Sequence, residues 1–74
     1  MAAEGYLESV ADLLNELRTS RSDMARLVES VVRDRLPYVV VPIMAIRSWE
    51  RREPHHWAKV AEWLASRNVK LVEV

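Results

Sequence analysis

The chain has 74 residues, half of them apolar, and its 11 basic and 11 acidic side chains cancel to zero net charge. A chain of this size makes one small domain, 1–74, with little core to spare for an enclosed active-site cavity. It contains no cysteine, which excludes disulfides, thiolate nucleophiles and cysteine zinc sites, and its balanced charge excludes a polycationic tail.

A single glycine and the high apolar content argue for a folded, helix-rich chain. The longest apolar run, Val39 to Ile46, is interrupted by Pro42 and is too short to span a bilayer. The opening Met-Ala-Ala-Glu-Gly lacks the basic start and apolar stretch of a signal peptide, so the expected location is the cytoplasm.

The first periodic segment runs from about Glu4 to Arg18, with Leu7, Val10, Ala11, Leu14 and Leu17 on one helical stripe. Tyr6 and Leu13 widen that stripe on one flank and are candidate interface residues. Ser20-Arg21-Ser22-Asp23 breaks the pattern and offers Ser22 as an N-cap. A second helix carries Met24, Leu27, Val28 and Val31 and should end near Leu36, because Pro37 follows.

Pro37 to Pro42 encloses three valines and reads as extended chain. A third helix starts at Pro42, a residue suited to the first helical position, and ends near Arg52. Ile43, Ile46 and Trp49 form its apolar face. A fourth follows Glu53-Pro54, with Trp57, Val60, Ala61 and Leu64 inward and Asn68 as its C-cap. Val69 to Val74 has strand composition, and Val39 to Val41 is its available partner. The expected fold is therefore mainly α: four short helices, with a minor two-stranded β pairing as an addition.

Ile46 to Trp57 is the densest run for chemistry. Ile46 and Trp49 point inward, so Arg47, Ser48 and Arg51 fall on the other side of the third helix. Arg52, His55, His56 and Lys59 carry cationic or titratable groups into the next turn and helix. Guanidinium forks beside a helix start can read guanine edges and clamp phosphates. The charge distribution has the same polarity. Residues 1–36 hold five basic and seven acidic side chains, whereas residues 37–74 hold six and four.

Val41 to Arg52 resembles the recognition helix of small phage-type Cro/repressor helix-turn-helix regulators, and the likeness extends to about Leu71. In that group an aliphatic residue and a tryptophan three places later anchor the helix, while basic or small residues face DNA. Arg52-Glu53-Pro54-His55-His56-Trp57 is similar to the turn that opens the group's following helix. The resemblance implies a helix-turn-helix-like C-terminal half and a dimeric, DNA-binding transcriptional regulator. Its DNA-facing residues would be Met44, Arg47, Ser48, Arg51, Arg52, His55, His56 and Lys59. The group's glycine turn has no counterpart after Met24, where the chain runs about ten residues longer.

A second reading, from a different class, is a protein-interaction module: an inhibitor, antitoxin or adaptor. Zero net charge, the broad stripe of the first helix and Trp63 all favour it. Trp63 falls on the flank of the fourth helix, either as an interface anchor or as a lid over a thin core. Val69 to Val74 would then be an edge strand available for exchange between copies.

His55 and His56 point about 100° apart on a helix and cannot close on one metal ion. No nucleophile motif or glycine-rich phosphate loop is present, so no enzyme, catalytic residue or cofactor is expected.

Overall fold

A computed structural model describes residues 9–74 and bears out a mainly helical fold with one small sheet. The early part of the expected first helix, including Tyr6, lies outside the described residues. Helix α1 (Val10–Thr19) begins at Ser9, whose Oγ accepts from the Asp12 amide at 3.2 Å. Leu13 and Leu17, one turn apart, are its buried residues.

Its end is a Schellman motif built on an arginine. Arg21 takes φ 55°, the Ser22 amide donates to the Leu17 carbonyl at 2.9 Å, and the Arg21 amide donates to Arg18 at 3.0 Å. The left-handed residue folds the chain back on itself. Ser22 is buried, and its Oγ accepts from the Met24 amide at 3.2 Å, which satisfies a donor in the first turn of α2 (Met24–Asp34). Met24, Ala25, Val28 and Val31 form the buried stripe of α2. The helix stops short of the expected Leu36, because Arg35 adopts φ 50°.

Strand β1 (Tyr38–Val41) buries Val39 and Val41 and exposes Tyr38 and Val40. Pro42 is the N-cap of α3 (Ile43–Arg52) rather than its first residue; its carbonyl accepts from the Ala45 and Ile46 amides. Glu53 alone separates α3 from α4 (Pro54–Ser66), where proline occupies the first turn. Helix α4 ends in a second Schellman motif. Asn68 takes φ 59°, and the Val69 amide donates to Leu64 at 2.9 Å.

Strand β2 (Lys70–Glu73) then pairs with β1 inside the chain, in parallel, with Tyr38 opposite Lys70 and Val41 opposite Glu73. The Ile43 amide donates to the Val74 carbonyl at 2.8 Å, which ties the start of α3 to the tail.

The core lies between α1, α2, α4 and the inner face of the sheet, with Leu13, Leu17, Met24, Val28 and Val60 almost wholly buried. Helix α4 is the hub, packed against α1, α2, α3 and β2. Helix α3 sits at the side, mainly against α4.

Candidate nucleic-acid interface

Helix α3 buries only Ile46 fully, with Ala45 and Trp49 partly packed against the core. At 100° per residue, these three define an inward direction, and Arg47, Arg51 and Met44 lie nearly opposite it. The exposures agree: Met44 is 72% exposed, and Arg47 and Arg51 are also exposed. Ser48 is half-buried and Arg52 exposed on one flank; Ile43 and Glu50 occupy the other. Among the described residues Arg47, Arg51 and Arg52 form no ion pair, whereas Arg18 is paired with Glu29 and Arg33 with Asp34. The outward pole of α3 thus carries two unpaired guanidinium groups one turn apart, beside a flexible thioether.

Trp49 is half-buried rather than a fully enclosed anchor. Its ring packs on Trp57 of α4, with centroids 5.5 Å apart and planes tilted by 33°. This contact and the single-residue joint at Glu53 set how α3 leans on α4. The helix that precedes α3 in sequence is separated from it by β1, so the adjoining helix pair of the C-terminal half is α3–α4.

The remaining candidates divide. His55 is exposed in the first turn of α4. His56 and Lys59, expected on the same cationic surface, instead join α4 to α1. His56 Nε2 lies 3.2 Å from Glu16 Oε2 and 3.5 Å from Ser20 Oγ, and its Nδ1 lies 3.1 Å from Glu53 Oε1. Lys59 Nζ donates to Glu16 Oε1 at 2.9 Å. Two carboxylates therefore occupy the groups that were expected to meet phosphate. Glu16 was not recognisable as their partner because only the packing of α1 on α4 brings it there.

Of the two described interface candidates, Leu13 is a correction, and Trp63 is the lid over the core rather than the interface anchor. Leu13 is 1% exposed and Trp63 is 7% exposed. The reason is that α1 and α4 are each covered on more than one side. On α4, Trp57 and Trp63 fall about 60° to either side of Val60, so they are the two edges of one wide apolar band. Trp63 closes the core, and the Arg67 guanidinium lies 5.0 Å from its ring centroid.

Among the described residues no group of three or more His, Cys, Asp or Glu side chains is placed to hold a metal ion. Among them, too, no helix is long and apolar enough to cross a membrane. No protein-family model, curated protein or solved structure matches the chain.

Proposed function

We propose that this chain is a sequence-specific DNA-binding transcriptional regulator of phage or mobile-element type, working in the cytoplasm as a dimer with α3 in the major groove. The observation that carries this reading is the outward pole of α3, where Arg47 and Arg51 stand exposed, one turn apart and free of ion pairs among the described residues. A helix held by one narrow edge can enter a groove without losing its packing, and a planar guanidinium matches the two acceptors of guanine. One of the two arginines reads a base edge and the other holds a phosphate, with Met44, Ser48, Arg52 and His55 around them. So few contacts bind weakly in one copy; two half-sites about 34 Å apart supply the rest.

Selection from random DNA, followed by affinities at several salt concentrations, tests this reading. Arg47→Ala should cost about 1–3 kcal/mol in specific binding and relax base preference at one position. Arg51→Ala should weaken all sequences alike and flatten the salt slope by about one unit. If no sequence is enriched, and wild type binds random DNA no better than the double variant, the proposal fails.

A protein-interaction module is the second reading. It is favoured by the exposed apolar pair Ile43 and Met44 at the start of α3; Trp63, one of its candidate interface residues, is buried. Binding through such a surface would change little with salt, whereas DNA binding falls steeply.

A further inference from the structure

The two-stranded sheet has two outer edges, and its hydrogen-bond pattern shows which residues face each; the edge of β1 is the one without charged side chains. The Lys70 amide donates to the Pro37 carbonyl at 3.0 Å, and the Val74 amide donates to Val41 at 3.1 Å. In a parallel pair alternate residues face the partner strand, so Pro37, Val39 and Val41 turn their backbone groups toward β2. Tyr38 and Val40 turn theirs to the opposite edge, where they meet no backbone partner among the described residues.

That edge is also unprotected. Its side chains are uncharged, and Tyr38 and Val40 are 53% and 55% exposed. Beside it, an apolar groove of about 480 Å³ runs between β1 and α2, lined by Leu27, Ser30 and Leu36. Strand β2 carries Lys70 and Glu73, the charges that commonly blunt an edge, whereas β1 carries none.

We propose that β1 pairs antiparallel with β1 of a second copy, about a two-fold axis at Val39. The register follows from the free groups. Tyr38 opposite Val40 of the second copy, and the reverse, are two hydrogen-bonded pairs that satisfy every free N–H and C=O of both residues. Val39 faces its own counterpart between them. Tyr38 then lies against Val40 on the outer face, a favourable aromatic and β-branched cross-strand pair.

Pro42 ends the ladder on that edge, because it has no N–H to donate and its carbonyl is taken by the first turn of α3. An uncharged edge and groove match an uncharged strand, and β1 is the strand of this chain without charge. A two-fold pairing of β1 with β1 uses each copy's β1 edge once and closes. Adding β1 to the outer edge of β2 in another copy would be head-to-tail and would leave edges free for further copies. Two marginal sheets become one four-stranded sheet backed by helices. This inference rests on the dimeric state of the DNA-binding reading, and a monomer would count against both. The strand pairing and its register are tested without DNA and can fail while that reading stands.

Sedimentation of the wild-type protein at tens of micromolar should show a dimer, and a monomer would overturn the proposal. Val40→Pro removes a donor that has no backbone partner among the described residues. It should leave the circular dichroism unchanged and weaken dimerisation by at least about tenfold, since both copies lose a hydrogen bond. An undiminished dimer would place the interface elsewhere.

The chain has no cysteine, so single thiols report the register directly. The Val39 pair would sit about 4.5 Å apart between Cα atoms, within disulfide reach, whereas Val40 and its counterpart would be offset by about 7–8 Å. Under mild oxidation Val39→Cys should therefore link more completely than Val40→Cys, although Val39 is 8% exposed and Val40 55%. Faster linking at position 40 would reject this register. Mixing Tyr38→Cys with Val40→Cys should give linked heterodimers, which provides a check that leaves the buried residue intact; their absence would count against the register too.

Discussion

Replacing Trp63 with alanine probes whether this tryptophan is core or surface. The side chain is 7% exposed, next to Val60 at 0% and Leu64 at 2%, so truncation empties a site that its neighbours cannot readily fill. Losses of this kind cost about 3–5 kcal/mol. A domain of this size has a total stability near the low end of about 5–15 kcal/mol, so the variant should be close to unfolding at room temperature. At about 4–8 °C per kcal/mol, its melting point should fall by more than about 12 °C. Arg67 over the ring contributes less: Arg67→Ala should cost about 0.5–1 kcal/mol, the range for an exposed cation–π contact. Trp49→Ala should fall between the two, because that ring is half-buried and loses mainly its packing on Trp57. Urea unfolding followed by circular dichroism gives all three values, provided protein concentration is held constant for a self-associating chain. If Trp63→Ala costs no more than Trp49→Ala, the placement of Trp63 in the core is wrong.

The Glu16–His56–Lys59 contacts predict non-additive losses. Glu16→Ala should cost about 1 kcal/mol, because the groups are only partly buried, and less at high salt. His56→Ala should cost less in the Glu16→Ala background than in wild type. Additivity within about 0.3–0.5 kcal/mol would show that the two do not interact. Ser22→Ala leaves the Met24 amide without its side-chain acceptor in a buried turn and should lower stability by about 1 kcal/mol, readable as a shift in the urea midpoint.

What could be read from the residues and what could not follow a physical division. The boundaries of α3 and α4 were legible because Pro42 and Pro54 mark them, and the turn at Asn68 because asparagine tolerates a left-handed backbone. Arg21 and Arg35 occupy the same backbone region without any such signal, which is why the end of α2 was placed late. Val39 to Val41 and the tail were recognisable as partners from their β-branched side chains. Their parallel direction was not, because it depends on how the two helices between them pack. On α3, Ile46 and the exposed Arg47 and Arg51 followed from helical period alone. His56, Lys59, Leu13 and Trp63 did not, because one helical stripe cannot show that a helix is covered from several sides, nor that a carboxylate far away in the chain will arrive beside it.

The parallel pairing of β1 with β2 has a consequence for the order in which the molecule assembles. A hairpin can zip outward from its turn, but these strands meet only after the chain has traversed all of α3 and α4. The entropy of closing so long a loop is offset only once those helices exist, so sheet formation belongs to the late phase of folding. Contacts between α1 and α2, and between α3 and α4, are local in sequence and can lead. Until Leu71 and Val72 arrive, Val39 to Val41 is an unshielded valine segment during synthesis. Rapid helix formation on a microsecond scale shortens the time it stays so.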